Sequence, residues 1–125
     1  MQDFLIRDPG LAPAGRLKVE WVRAHMPVLN AVRRELREGQ PFKGVRLAMS
    51  IHLEAKTAFL ALVLKEAGAQ VAITGSNPLS TQDDVAAALV EEGLSVYAWH
   101  GATEEEYTDH LIRVLQSRPH LVIDD

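Results

Sequence analysis

At 125 residues the chain is sized for one domain with a real hydrophobic core. Its 47% hydrophobic and 24% charged residues are ordinary globular composition, and a net charge of −4 offers no basic field to nucleic acid. There is no cysteine, which excludes disulfides and thiolate metal sites. No apolar run approaches the ~18 residues of a membrane span and the N-terminus lacks a signal-peptide pattern, so a soluble cytoplasmic domain is expected.

Residues 1–16 carry two prolines and two glycines and read as an irregular arm. From Leu17 to Glu38 the apolar positions Val22, Met26, Leu29, Val32 and Leu36 have helical spacing, with Pro27 predicting a kink or two abutting helices. Val45–Ile51 is strand-like. Glu54–Ala67 follows as a helix whose apolar residues cover most of its circumference, so burial is expected, and Gly68 is placed to end it. Val71–Thr74 is the next strand. Ser80-Thr81-Gln82-Asp83 has capping-box spacing before a helix closed by Gly93. After the strand Val96–Trp99, Thr103-Glu104-Glu105-Glu106 repeats that pattern. The stripe Tyr107, Leu111, Val114, Leu115 then marks a helix ended by Pro119, and Leu121–Ile123 is the last strand. The order predicts an α/β fold, a Rossmann-like three-layer open parallel sheet with flanking helices. Residues 1–41 form a leading arm and kinked helix, and residues 42–125 form the βαβαβαβ part. With one sheet edge and part of a face left bare, the domain is expected to be truncated.

In such sheets ligands bind beyond the carboxyl ends of the strands. The strands here deliver His52, then Gly75-Ser76-Asn77, then His100-Gly101, then Asp124-Asp125. His52 can serve in acid/base work or as a ligand contact, or simply close a turn; both readings stand open. The Thr74–Asp83 segment is rich in turn formers and hydrogen-bonding side chains. It suits a polar small molecule or a purely structural turn, and it lacks the glycine spacing of a phosphate loop. The aspartates could accept from sugar hydroxyls, act as a base or merely be solvated. His25, His110 and His120 read as surface or satisfied groups, Trp21 and Trp99 as packing residues. No ligand spacing supports a metal.

Taken as strings, Ser50-Ile51-His52-Leu53-Glu54-Ala55-Lys56-Thr57, Ser76–Asp83, Val96–Trp99 with Glu105-Glu106-Tyr107, and Ile123-Asp124-Asp125 resemble the N-terminal part of S-adenosylhomocysteine hydrolases. The order and spacing match from about Leu11 onward, including Met26-Pro27. The resemblance implies an adenosylhomocysteinase of the methionine cycle, splitting S-adenosylhomocysteine reversibly into adenosine and homocysteine with a tightly held NAD. In that chemistry the cofactor oxidises the ribose 3′-hydroxyl, which acidifies the C4′ proton and lets the thiol leave before water adds. It implies catalytic roles for His52, near C5′, and for Asp125. It also implies substrate-binding roles for Glu54, Lys56 and Thr57 on the adenine side, and pocket-shaping roles for Asn77, Ser80, Thr81, Gln82 and Asp83. A homotetramer is implied, with no nucleic-acid partner and no membrane.

Two departures stand out. Many members have Thr where this chain has Glu54 and Glu where it has Lys56, which changes the purine edge that can be read and suggests a distinct subfamily. Ser76 and His100 replace the usual Cys and Lys, which argues against essential roles for either. The family's later proton-handling residues and its NAD-binding domain are not among these 125 residues. The chain alone is therefore expected to be inactive. Two rivals remain: a receiver-like phosphoacceptor domain, whose acidic pair should come early rather than last, and a non-catalytic adenosine-binding or assembly module.

Overall fold

The computed structural model describes residues 2–125. All five strands are parallel, in the spatial order β1-β4-β3-β2-β5. They are β1 (Phe4–Ile6), β2 (Arg46–Ser50), β3 (Gln70–Thr74), β4 (Ser95–Ala98) and β5 (Leu121–Asp124). The helices are α1 (Ala12–Ala24), α2 (Pro27–Gly39), α3 (Ala55–Glu66), α4 (Asp83–Glu91) and α5 (Glu104–Gln116). This is the α/β parallel-sheet class that the alternating pattern predicts.

Strand periodicity sorts the core into two faces. Leu47, Met49, Val71, Ile73, Val96 and Ala98 point one way, into a core shared with Ala58, Ala61 and Leu62 of α3 and Val85, Ala86 and Leu89 of α4. Ala48, Ala72 and Tyr97 point the other way, against Val114 of α5. The outer helices α1 and α2 pack on α3 through Val22, Met26, Leu29 and Leu36 around Phe59 and Val63. As its composition requires, α3 is buried over most of its surface. Ala67 and Gly68 end it. Gly68 sits at φ +109°, where a Cβ would lie 2.7 Å from the Lys43 amide nitrogen.

The crossovers through α3 and α4 carry the chain steadily from β2 to β3 to β4. The crossover through α5 runs back over the opposite face and sets β5 beside β2, with Ser50 opposite Asp124. Right-handed crossovers demand this change of face when the strand order reverses.

Three expectations are corrected. The leading segment is not an irregular arm: Phe4–Ile6 pairs with Val96–Ala98 as an edge strand, and α1 begins at Ala12. Pro13 is tolerated there because it stands in the first helical turn, where amides lack partners anyway. Of the two outcomes expected at Pro27, the abutting helices form rather than one kinked helix, with Pro27 opening α2. Ser80 and Asp83 form no capping box; Gln82 is the N-cap of α4, and both side chains bond elsewhere. The second box does form: Thr103 Oγ1 accepts from the Glu106 amide, and Glu106 accepts from the Thr103 amide. That backbone bond holds the Glu106 carboxyl below its ordinary pKa. On α5 the buried residues are His110 and Val114, with Leu115 exposed, so the inward face is rotated from the predicted stripe.

Gly15 is the tightest helix contact. A Cβ there would fall 1.8 Å from the Asp84 carbonyl oxygen, at the point where α1 crosses the start of α4. Gly15→Ala should therefore cost about 1–3 kcal/mol as the helices move apart, despite alanine's better helix propensity. Thermal unfolding of the wild type and of Gly15→Ala measures it; an unchanged or raised midpoint would contradict the contact.

Candidate functional site

The loops leaving β2, β3 and β4 are bonded to one another through their backbones. Ser76 N donates to Ile51 O at 3.1 Å, Gln82 N to Leu53 O at 3.0 Å, and Gly101 N to Pro78 O at 3.0 Å. Tyr107 Oη adds a bond to Ser76 O at 3.1 Å from α5. The Asn77–Thr81 turn is knotted around one carbonyl. Asn77 O accepts from Ser80 N at 3.1 Å, Ser80 Oγ at 3.1 Å and Thr81 Oγ1 at 3.0 Å, while Asn77 Oδ1 accepts from Leu79 N at 2.9 Å. This satisfies the buried polar groups of an irregular segment and fixes its shape.

Between these loops and the end of β5 lies an open cleft of about 870 Å³. It sits at the crevice between β2 and β5, where the winding reverses and where parallel sheets bind ligands. Eight of the residues singled out from the sequence line it: His52, Glu54, Lys56, Thr57, Ser80, Thr81, Gln82 and Asp125. Ile51, Leu79 and His100 line it as well. The first two supply apolar wall, which no polar motif in the sequence marks.

Two other residues turn inward to structural work. Asn77 shapes its own turn. Asp83 accepts from Arg7 Nε at 3.0 Å and from the His100 amide at 2.9 Å, tying the leading segment and the β4 loop to the start of α4. His100 Nδ1 stands 3.2 Å from Thr81 O.

His52 and Asp125 come together across the crevice. His52 Nδ1 lies 2.6 Å from Ser80 Oγ, and its Nε2 lies 3.9 Å from Asp125 Oδ2. The two side chains are 55% and 45% exposed, so attraction between a protonated ring and the carboxylate is screened and contributes at most about 1 kcal/mol. Its interest is chemical rather than energetic. Glu54 N-caps α3, accepting from Thr57 N at 2.9 Å through Oε1, with no bond to Oε2 among the described residues; Lys56 stands beside it. One wall thus offers a carboxylate acceptor and an ammonium donor, and the other an imidazole and a carboxylate.

A second, more enclosed cleft of about 290 Å³ opens at the amino ends of the strands, among Gln2, Arg46, Lys65, Gln70 and Ser95. Its cations are engaged, Lys65 by Glu92 O and Arg46 by Arg118 O, and no carboxylate or histidine lines it among the described residues. The carboxyl-end cleft is the better candidate on chemistry. Among the described residues no group of histidine, cysteine, aspartate and glutamate is arranged to hold a metal.

Comparison with known proteins identifies the surroundings of this site. The profile of the S-adenosyl-L-homocysteine hydrolase family matches residues 3–125. An S-inosyl-L-homocysteine hydrolase of Methanopyrus kandleri is 57% identical over 98% of this chain, and one of Methanococcus maripaludis is 56% identical over 96%. An adenosylhomocysteinase of Pyrococcus abyssi is 54% identical over 98%. In each case the match spans 29% of the relative's length.

Beneath the β3 loop lies a group that the sequence reading placed at the surface or as satisfied. His110 is fully buried, edge-on to Trp99 with ring centroids 4.3 Å apart, and its Nε2 has no hydrogen-bond partner among the described residues. Burial pushes its pKa below the ordinary histidine value, against the opposing pull of Asp109 and Glu106. A lowered folded-state pKa means that the unfolded chain binds the proton first. Stability is therefore intact above the unfolded pKa of about 6.5 and falls as pH drops from there toward the folded value. His110→Phe should flatten the thermal midpoint between pH 7 and 5; an unchanged slope would show that other groups set it.

Proposed function

The chain belongs to the S-adenosyl-L-homocysteine hydrolase family, and from that membership we propose that its carboxyl-end cleft is the nucleoside side of an active site cleaving S-nucleosyl-homocysteine thioethers. The products are the free nucleoside and homocysteine. The observation that carries this reading is the meeting of His52 with Asp125 at the reversal crevice, with polar walls on either side. His52 handles the proton exchanged between the leaving sulfur and the incoming water near C5′. Asp125 binds the sugar and assists. Glu54, Lys56 and Thr57 face the base, while Ser80, Thr81 and Gln82 close the opposite wall.

NAD would supply the reversible ribose oxidation, but the residues of this chain do not fit it. The turn after β2 (Ile51–Glu54) contains no glycine. After β3, a Cβ on Gly75 would meet Thr81 Oγ1 at 2.5 Å, so this glycine makes room for a side chain rather than for pyrophosphate. Helix α4 opens on Asp83 and Asp84, whose charge opposes a phosphate. We assign the cofactor to other segments of the protein, along with the contacts of a homotetramer. A cytoplasmic setting fits this assignment. None of the described helices is long and apolar enough to cross a membrane.

A second reading concerns the base. Two of the relatives are named S-inosyl and one adenosyl hydrolases, at 54–57% identity. A carboxylate and an ammonium side by side suit hypoxanthine, with Lys56 donating to O6 and Glu54 accepting from N1–H. Adenine needs the reverse order, its amino group facing Glu54 and its N1 facing Lys56. Many members of the family carry Glu where this chain has Lys56; an ammonium there meets an oxygen at C6 where a carboxylate would meet an amino group, which favours the oxo-purine.

In the full-length protein, His52→Asn should lower kcat by roughly 10²–10⁴-fold with a folded spectrum. Lys56→Glu should shift the ratio of kcat/KM for S-inosyl- over S-adenosyl-homocysteine downward by about tenfold or more. Turnover of neither thioether by the wild type would sink the proposal, and an unmoved ratio would sink the reading of the base. The 125-residue chain given NAD should not turn over; hydrolysis by it alone would contradict the assignment of the cofactor elsewhere.

A further inference from the structure

We propose that Ser80 is a positioning residue that fixes His52 in the Nδ1–H form, making Nε2 the atom that takes up and releases the proton. The bonds are already in place. His52 Nδ1 is 2.6 Å from Ser80 Oγ, and Ser80 Oγ is 3.1 Å from Asn77 O. A hydroxyl has one proton. Directed at the Asn77 carbonyl, it leaves the Ser80 oxygen to accept, and the group facing it among the described residues is the imidazole Nδ1, which must then carry the proton. The arrangement Nδ1–H···Oγ–H···O=C is the usual backbone anchor of a histidine tautomer lengthened by one hydroxyl, and each bond polarises the next.

The carbonyl at the end of this chain is rigid. It also receives Ser80 N and Thr81 Oγ1, and the Asn77 side chain caps the Leu79 amide, so the acceptor is held by the turn itself. The opposite ring nitrogen faces the cleft, 3.9 Å from Asp125 Oδ2. A proton arriving at Nε2 converts the ring to imidazolium without turning it, because Ser80 already accepts from Nδ1 in both states. The Asp125 carboxylate stabilises the charge that results. The competing arrangement puts the ring proton on Nε2 toward Asp125 and turns the Ser80 hydroxyl onto Nδ1. It leaves Nε2 unable to accept, and breaks the bond to Asn77.

The role in turnover rests on the hydrolase reading, whereas the tautomer does not, and the two are measured separately. Long-range ¹H–¹⁵N spectra of the ¹⁵N-labelled chain, with His52 assigned by loss of its signals in His52→Gln, report which nitrogen carries the proton in the neutral ring. Wild type and Ser80→Thr should show Nδ1–H, and Ser80→Ala should lose that preference while the amide spectrum stays dispersed. In the full-length protein Ser80→Ala should lower kcat about tenfold or more with KM little changed, and Ser80→Thr should restore it. An Nε2–H signal in wild type overturns the proposal, as does an unchanged pattern in Ser80→Ala. A lost tautomer with unchanged kcat overturns its role in proton handling. Absence of thioether cleavage by the wild type is a failure of the hydrolase reading alone.

Discussion

The return of the chain over the opposite face of the sheet is the constraint on which the site depends. Three successive crossovers on one face would have carried β5 away from β2, leaving the edge of β2 opposite β3 unpaired. Because α5 packs on the Ala48, Ala72 and Tyr97 face instead, β5 lands against β2 with Ser50 opposite Asp124. The next residue of one strand and the second residue after the other are Asp125 and His52. Small side chains on that face permit the packing: Ala48 and Ala72 let α5 approach the middle of the sheet. A geometric rule about handedness thereby becomes a chemical pairing.

The second requirement is that loops behave as rigid parts. Polar residues at strand ends serve chemistry only when their own backbones are satisfied, since each buried unpaired group costs about 1–3 kcal/mol. Here the three loops share their amides and carbonyls, and the Asn77 carbonyl gathers the donors of its own turn. Ser80, Thr81 and Glu54 bond within these loops and line the cleft as well, so its walls are held by the same bonds. Asp83 shows the division of labour, bonded on one side to Arg7 and on the other to the His100 amide.

Much of this was legible before the structure. Alternating apolar runs and capping residues marked β2 to β5 and α3 to α5, because each element satisfies its local preference and its packing at once. The strand-end rule directed attention to His52 and Asp125. What failed was what depends on distant partners. Phe4–Ile6 is three residues long, too short to show a period, and is a strand only because Val96–Ala98 lies beside it. Gly15 and Pro13 read as breakers, yet Gly15 is there for the backbone of α4 and Pro13 for a first turn. Ser80 and Asp83 had capping spacing, but His52, Asn77, Arg7 and His100 compete more strongly for them. The bond between His52 and Ser80 joins residues 28 apart, and no local pattern announces it. Nor does any local signal separate the buried His110 from an exposed one.

The claim that most needs testing is that the carboxyl-end cleft receives a nucleoside. Amide-shift titration of the chain with adenosine and with inosine tests it residue by residue. The account predicts saturable shifts confined to 51–57, 79–82 and Asp125, with the two nucleosides differing most at Glu54 and Lys56. Shifts centred instead on Gln2, Arg46, Lys65 and Gly93, at the amino ends of the strands, or no shifts at all, would contradict it.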